Sequence, residues 1–417
     1  MSEQPTTQPT RQEAAHTAQF TAPYGPVADA LAITELGVQA GTGSSPAQCG
    51  VLLTTARRIL TLTTHDTETA VTVTLPVDTT ATGSSLLQHS QLKKALAAMV
   101  TGESKAAAAR TAVSLTGDLL ATPHLSLPVP ALDRDEFIDP PHPAPTVATV
   151  DVRQFLDQAL RVLPAAGTDD TLPALTGVRI TVDCQSVTLS ATDRYRFAVA
   201  DVPAVVDTTP PQEANSALIP ATVLARLAKR LKDHQGRARI GISAHGTPRI
   251  TLTTGTTTIT IRQLEGAQIR HSALFPKTTD CSIALPRTPT QRALKKCHAL
   301  IKALGETQAP VSLMWAADGS LTLAPILGTT EDRDRTKGMA LASTTTAGTT
   351  PRDRAVSLNP KFLADALTAF DGETITLHLR DEEAGKPLKP VLLTAGPDIT
   401  EEDYRHLLMP VRLGQDA

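Results

Sequence analysis

Basic side chains recur on one face of several predicted helices. In the predicted helix 220–234, Leu and Val residues are spaced for burial, whereas Arg and Lys residues occupy the opposite face. Cationic faces attract phosphate groups without regard to base sequence. A basic face on one helix is equally explained by exposure to water, so only the recurrence favours phosphate. The candidate phosphate-facing residues are Lys93, Lys94, Arg161, Arg226, Lys229, Arg230, Arg292, Lys295, Lys296 and Lys302, with Lys361 in a comparable position.

Residue patterns for catalysis or metal binding are missing from the sequence. It contains no GxSxG, HExxH or P-loop motif, and the acidic pairs at 133–135 and 169–170 lie in predicted turns. The four cysteines, Cys49, Cys184, Cys281 and Cys297, form no CxxC pair. Aromatic residues make up 3% of the chain and no recognition-helix pattern occurs, so nothing indicates reading of bases. We therefore expect no metal site, no cofactor and no enzyme activity.

Length and composition indicate a protein of several domains. The chain has 417 residues, of which 41% are hydrophobic, and a net charge of −3. This length corresponds to two to four domains of ~100 to 200 residues each. No apolar run approaches the ~20 residues of a membrane span, and residues 1–20 lack the apolar centre of a secretory signal. We expect a cytoplasmic protein that does not contact membranes.

Three segments repeat one pattern, in which a polar or Pro-bearing start leads into a helix of Leu and Ala and then into strands. Leu92, Leu224 and Leu363 occupy matching places in these segments, 132 and 139 residues apart. The spacing predicts three α+β units of similar length, although similar helices also arise without a true repeat. The predicted helices cover residues 85–100, 151–163, 220–234, 290–304 and 359–370.

The predicted boundaries follow from this repeat. We expect a flexible tail over residues 1–19 and domains over residues 20–138, 147–266 and 277–417. In the first domain, the opening helix is expected only weakly, around residues 26–34, because Gly25 and Pro26 interrupt it. The stretch 133–145 is acidic and Pro-rich and is predicted to be a linker.

Two signatures mark the second predicted domain and the end of the chain. Residues 171–203 alternate in polarity, which predicts strands at 178–182, 187–191 and 197–202 joined by short turns. Within this stretch LPALTG, at 172–177, is followed by ATDRYRFAV, at 191–199, and the chain ends in YRHLLMPVRL, at 404–413. This combination resembles the bacterial β sliding clamp, the β subunit of DNA polymerase III, over nearly the whole chain from residue 50.

The resemblance implies an α+β DNA clamp fold with three similar domains per chain. It also implies a head-to-tail homodimeric ring, with helices inside and antiparallel sheets outside, that encircles duplex DNA without sequence preference. The basic helix faces would then face DNA. Such a ring is a non-catalytic processivity factor, which tethers the replicative DNA polymerase, the clamp loader and repair proteins through short linear peptides.

The resemblance further implies a peptide pocket between the second and third domains. An apolar floor there would bury Leu or Phe anchors at roughly 1.5 to 3 kcal/mol each, and Arg196 and Arg412 would orient carbonyls or an acidic group of the peptide. The positions that match are Leu175, Thr192, Arg194, Tyr195, Arg196, Phe197, Leu274, Asn359, Phe362, Leu407, Leu408, Met409, Pro410, Val411 and Arg412.

Two departures from the family pattern keep a second interpretation open. Ile269 stands where a pocket Pro is usual and Ala273 where a long polar side chain is usual. With the weakly predicted first helix, these changes are also compatible with a clamp paralogue that is not used for bulk replication. Such a paralogue could be a specialised scaffold, a mobile-element clamp, or a stand-in target giving resistance to a clamp-directed inhibitor.

Overall fold

The chain folds into two compact units. The computed structural model describes residues 17–39, 45–79, 81–206, 215–243, 246–266, 274–306, 308–381, 388–399 and 403–413. One unit consists of residues 1–144 with 251–262, and the other of residues 145–250 with 263–417. Ile269 and Ala273 lie outside the described residues, as does most of the predicted tail over 1–19.

The first unit combines antiparallel strands with helices. Its strands are β1 (Phe20–Pro23), β2 (Gly50–Ala56), β3 (Ile59–His65), β4 (Thr69–Pro76), β5 (Gly83–Gln88), β6 (Ala112–Thr116), β7 (Leu119–Ala121), β8 (Ser126–Pro128), β9 (Ala131–Leu132) and, from later in the chain, β17 (Thr257–Arg262). Its helices are α1 (Tyr24–Thr34), α2 (His89–Met99) and α3 (Lys105–Arg110). One antiparallel sheet contains β1, β6, β7 and β8, and another contains β9, β5, β2, β3, β4 and β17.

Helix α1 is intact, so the expectation of an interrupted first helix is wrong. Gly25 and Pro26 fall in its first turn, where backbone N–H groups have no intrahelical acceptor and proline is tolerated. A Cβ atom at Gly25 would lie 3.1 Å from the carbonyl oxygen of Ala109. Gly25 therefore allows α1 to pack closely beside α3, which the sequence did not predict.

The second unit contains the remaining described elements. Its helices are α4 (Val152–Val162), α5 (Ala221–Leu231), α6 (Arg287–Ala303), α7 (Thr330–Arg335) and α8 (Pro360–Ala369). Its strands are β10 (Thr146–Asp151), β11 (Gly177–Val182), β12 (Ser186–Thr192), β13 (Arg196–Val205), β14 (Ser216–Pro220), β15 (Arg237–Ser243), β18 (Cys281–Pro286), β19 (Val311–Trp315), β20 (Leu321–Pro325), β21 (Met339–Leu341), β22 (Thr344–Gly348), β23 (Arg354–Leu358), β24 (Thr374–Leu379), β25 (Val391–Thr394) and β26 (Tyr404–Leu408). Strand β16 (Arg249–Thr254) crosses the boundary between the units at residue 250.

A continuous antiparallel sheet runs through the second unit. Its strands follow the order β22, β18, β24, β25, β26, β13, β12, β11 and β14. The pairing of β26 with β13 is central, because it joins the C-terminal strand to the strand that carries the ATDRYRFAV signature. A smaller sheet contains β21, β20, β19 and β23.

Several sequence expectations need correction. Residues 85–88, predicted as helix, belong to β5, which pairs with β2. Residues 251–262 group with the first unit, in which β17 pairs with β4; the domain bounds predicted from the sequence stay a prediction. The apolar spacing of the predicted helices 151–163 and 290–304 would bury Leu160, Leu300 and Leu304, but these side chains are more than half exposed. Among the described helices, none is both long and apolar enough to cross a membrane.

Candidate peptide-binding site

The turn between β12 and β13 is held by its own polar side chains. The Asp193 carboxylate accepts hydrogen bonds from the backbone N–H groups of Tyr195 and Arg196, each at 3.0 Å. The Thr192 hydroxyl accepts from the Arg194 N–H at 3.1 Å and donates to the Arg196 carbonyl at 2.7 Å. Arg194 has a φ of 80°, in the left-handed region that side chains with a Cβ rarely adopt. The turn thus projects the Tyr195 side chain outward.

Tyr195 meets the start of α8. Its ring stacks on Phe362 with centroids 6.4 Å apart and planes inclined by 24°. The side chain of Asn359 caps α8 by accepting from the N–H groups of Lys361 and Phe362 at 2.9 and 3.2 Å, which is the usual role of Asn before a first helical turn. The cap fixes where Phe362 leaves the helix. The turn and α8 therefore share an aromatic contact.

The C-terminal segment, residues 404–413, is the third part of the candidate site. In the β13–β26 ladder Arg196 lies opposite Leu408 and Phe197 opposite Leu407. Beyond β26, the Met409 N–H donates to the Tyr195 carbonyl and the Val411 N–H donates to the Ser357 carbonyl, each at 2.8 Å. The segment MPVRL is thereby tied to the turn and to the end of β23.

Apolar side chains at this junction differ in exposure. Leu407 and Leu408 are buried, and Leu407 packs with Phe197, Phe275 and Leu392 in a core cluster. Tyr195, Leu274 and Met409 remain 57%, 49% and 39% exposed. Leu175, Phe362, Pro410 and Val411 are half-buried and Arg412 is exposed. Tyr195, Leu274 and Met409 thus present apolar surface to solvent. Phe197 and Leu407 lie on one face of the sheet, and Leu408, opposite Arg196, lies on the other face.

Arg196 is committed to the protein itself, contrary to its expected role in orienting a peptide. Its side chain is only 4% exposed and forms ion pairs with Asp193 at 2.9 Å and Asp365 at 2.7 Å. The guanidinium carbon also lies 4.3 Å from the centroid of the Phe362 ring. No local pattern points to Asp365, which lies 169 positions from Arg196. Asp193 was detectable, because an Asp two residues before Tyr195 favours this turn.

Buried polar groups lie behind the site. The Tyr404 hydroxyl donates to the Arg161 carbonyl at 3.1 Å and lies 2.8 Å from His406 Nδ1. His378, on β24, lies 2.8 Å from the Ser282 hydroxyl and 2.6 Å from the Thr394 hydroxyl. Burial lowers the pKa of His378 to about 4 and that of His406 to about 3, and burial raises the pKa of Tyr404. Both imidazoles are therefore neutral at pH 7.

The predicted basic residues differ in exposure. Lys93 and Arg161 are half-buried: Lys93 pairs with Glu35 at 2.8 Å, and Arg161 pairs with Asp371 and lies over the Tyr404 ring. The others are exposed, namely Lys94 on α2, Arg226, Lys229 and Arg230 on α5, and Arg292, Lys295, Lys296 and Lys302 on α6.

A groove lies between α6 and α8. It encloses about 670 Å³ and is lined by side chains that include Lys295, His298, Lys302 and Lys361. The structure thus brings Lys361 together with two of the predicted phosphate-facing residues. Within the described parts of the chain, no group of His, Cys, Asp and Glu is arranged to hold a metal ion.

Comparison with known proteins identifies relatives of this chain. Residues 149–268 match the family model described as DNA polymerase III beta subunit, central domain. The beta sliding clamp of Streptomyces coelicolor is 31% identical over 283 residues, which cover 67% of this chain and 70% of that protein. The beta sliding clamp homolog GriR of Streptomyces muensis is 31% identical over 284 residues, covering 68% of this chain and 70% of that protein.

Solved structures show the same fold. The beta subunit of Streptococcus pyogenes DNA polymerase superposes with a TM-score of 0.77 at 18% identity, covering 95% of this chain and all of the other. A DNA polymerase sliding clamp from Pseudomonas aeruginosa gives a TM-score of 0.76 at 17% identity with the same coverage. The fold is therefore the α+β DNA clamp fold, and the chain belongs to the bacterial β sliding clamp family, the non-catalytic β subunits of DNA polymerase III.

Proposed function

We propose that this protein is a DNA sliding clamp that closes around duplex DNA as a homodimeric ring and tethers partner proteins through the pocket at the β13–β26 junction. The partners are the replicative DNA polymerase, the clamp loader and repair proteins, each bound through a short linear peptide. The protein acts in the cytoplasm and needs no cofactor. Family membership and the assembly of the pocket support this function together.

The observation that carries the proposal is the convergence of three distant segments. The turn at 192–196, the start of α8 and the chain end at 407–412 enclose one apolar surface, although they come from separate parts of the sequence. Tyr195, Leu274 and Met409 present exposed apolar atoms there. An extended peptide with Leu or Phe anchors fits this chemistry, because its anchors would remove that surface from water.

DNA contact is supported by the exposed basic side chains of α5 and α6. These residues attract phosphates wherever they lie along the duplex, so the ring can slide. Retention on DNA then depends on ring closure rather than on tight binding. Exposed apolar side chains in each unit, Leu119 in the first and Leu300 and Leu304 in the second, supply surface for the contact between protomers.

The decisive experiment compares closed and open DNA. The protein is loaded by a clamp loader onto a closed circular duplex, excess protein is removed by gel filtration, and half of the sample is linearised with a restriction enzyme. We expect the protein to stay on the circle and to leave the linear DNA. Equal loss from both forms would contradict encirclement, whereas equal retention would indicate ordinary electrostatic binding.

A specialised paralogue is the second candidate. Its motivation is that the chain is equally similar, at 31% identity, to a sliding clamp and to the clamp homolog GriR. A paralogue used only as a scaffold or as a stand-in inhibitor target would bind peptides or inhibitor but would not be retained on the closed circle. A Pseudomonas aeruginosa clamp has been solved bound to griselimycin, so this compound is a suitable inhibitor probe.

A further inference from the structure

Asp365 lies on α8, about one turn beyond Phe362 and outside the apolar surface of the pocket. We propose that Asp365 is a positioning residue for the peptide pocket: it holds the Arg196 guanidinium and thereby sets the 193–195 turn and the Tyr195–Phe362 stack before a peptide binds. This role rests on the peptide-binding function proposed above, and it adds a residue that does not contact the peptide.

One guanidinium connects all parts of this arrangement. Arg196 Nη1 donates to Asp365 Oδ2 at 2.7 Å, and Arg196 Nε donates to Asp193 Oδ2 at 2.9 Å. The other oxygen of Asp193 accepts the two backbone N–H groups that define the turn. A shift of the guanidinium therefore moves the carboxylate that shapes the turn.

The same guanidinium also fixes an aromatic ring. Its carbon lies 4.3 Å from the centroid of Phe362, within the range of a cation–π contact. Tyr195 stacks on the ring of Phe362. Because Asp365 and Phe362 are both on α8, the ion pair holds Arg196 against the helix that carries its aromatic partner.

Because the Arg196 guanidinium is buried, it needs the charge of Asp365. A guanidinium that is 4% exposed must have its charge compensated, since an unpaired buried charge is costly. Asp193 alone would pair only with Nε of the Arg196 guanidinium and would leave Nη1 without a carboxylate. Without Asp365 the freed side of Arg196 would turn toward water, and the turn and the ring would sample more conformations. A pocket that must be ordered during binding has a lower affinity than one ordered beforehand.

The position of Asp365 separates this role from peptide contact. Asp365 also lines a cavity of about 670 Å³ beside α8, together with α4 residues that include Asp157 and Arg161. Asp157 supplies a matched control, because it lines the same cavity but pairs with Arg153 at 3.8 Å and makes no contact with Arg196 among the described interactions.

The test measures binding of a short fluorescein-labelled peptide ending in Leu-Phe by fluorescence anisotropy, using the full-length protein. We expect Asp365→Asn to weaken binding about tenfold, the change that corresponds to one lost charge-assisted hydrogen bond. Asp157→Asn should bind within about twofold of wild type, and Asp365→Glu should recover most of the affinity because it restores the carboxylate. Hydrogen exchange of the Tyr195 and Arg196 amides should increase in Asp365→Asn.

Asp365 also pairs with the exposed Lys361 at 3.0 Å, so Lys361→Gln is a second control and should bind within about twofold of wild type. Failure of the wild-type protein to bind the peptide contradicts the proposed pocket itself. Wild-type binding with an unchanged Asp365→Asn affinity overturns the positioning role alone, and so does faster exchange confined to α8. If Asp365→Asn does not fold, Asp365→Ser decides, because it also removes the carboxylate: faster exchange of the two turn amides with weaker binding supports the role, whereas unchanged exchange and binding overturn it.

Discussion

Mild acid should destabilise the second unit through two buried histidines. His378 lies on β24 and His406 on β26, and burial lowers their pKa values to about 4 and about 3. An unfolded chain has histidines with a pKa near 6.5. Because the folded pKa is the lower one, the unfolded state takes up protons first as the pH falls. The stability contributed by neutral His378 and His406 is thus present above pH 6.5 and is lost toward their folded pKa values.

The size of the effect follows from these values. Between pH 6.5 and 4.5, linkage predicts a loss of about 2 kcal/mol from His378 and about 2 kcal/mol from His406, or roughly 4 kcal/mol together. The contacts are consistent with this sign. His378 is held between two hydroxyl groups, and His406 Nε2 is buried with no hydrogen-bond partner among the described residues. A proton added to His406 Nε2 would be a buried donor without an acceptor.

The assay is urea unfolding at pH 6.5, 5.5 and 4.5, followed by the fluorescence of Trp315. This residue is the only tryptophan of the chain and is buried in the second unit, so its signal reports that unit. The variant His378→Gln removes one titrating group. We expect its unfolding free energy to fall by about 2 kcal/mol less than that of wild type over the same range.

The comparison uses the change of unfolding free energy with pH, so it does not depend on the absolute stability of the variant. The carboxyl groups of Asp169, Asp318 and Asp332 have pKa values held below 3.8, mainly by hydrogen bonds from Thr171, Ser320 and Thr329, so they titrate below this window. Identical pH dependence in wild type and His378→Gln would refute the linkage. A wild-type protein that is more stable at pH 4.5 than at pH 6.5 would refute its sign.

Two further predictions concern the pocket and a strained hairpin. Replacing Met409 and Pro410 by Ala should weaken peptide binding about ten- to a hundredfold, because apolar contact is lost; Leu160→Ala, an exposed apolar control, should change nothing, and anisotropy measures both. Arg57 and Arg58 have φ values of 50° and 65° between β2 and β3, so Asn-Gly there should raise the unfolding free energy by about 1 to 2 kcal/mol in chemical denaturation. Unchanged affinity, or lower stability, would contradict the respective prediction.

Much of the fold could be predicted because its signals are local. Alternation of apolar residues over 171–203 predicted β11, β12 and β13 to within a few residues of their observed bounds. The amphipathic pattern of residues 151–163 placed α4, and Asp151 caps it by accepting from the Gln154 N–H. Such features depend on neighbours within a few residues, which a single sequence displays.

The sequence predictions were wrong where tertiary packing overrides the conformational preference of single residues. Gly25 and Pro26 normally weaken a helix, but the close approach of Ala109 requires a glycine and the first turn tolerates a proline. Leu300 on α6 and Leu304 directly after it have the spacing of the apolar stripe, yet both are exposed. The hydrophobic pattern shows that a side chain is apolar; it does not show whether this chain or another molecule covers it.

The candidate site also combines features that the sequence predicts with features that only tertiary packing determines. Sequence resemblance supplied the pocket residues, and the structure adds which of them are available to a ligand. Arg196 was assigned to ligand contact because an arginine beside an apolar surface suggests recognition, but its charge is already paired twice inside the protein. Only the fold brings Asp365 to Arg196, so no local pattern could have revealed that pair.

The separation of charged and apolar groups has a functional consequence. Tyr195, Leu274 and Met409 offer exposed apolar surface, and in the proposed pocket this surface would accept peptides of different sequence because burial of apolar area is not directional. In the positioning role proposed above, the orientation of a bound peptide would come from the Asp193–Arg196–Asp365 network, because the buried Arg196 joins the turn that carries Tyr195 to the ring of Phe362. Substitutions at the apolar rim should therefore alter how tightly each anchor binds. Substitutions in the charged network should weaken all peptides together, because every peptide needs the same ordered pocket.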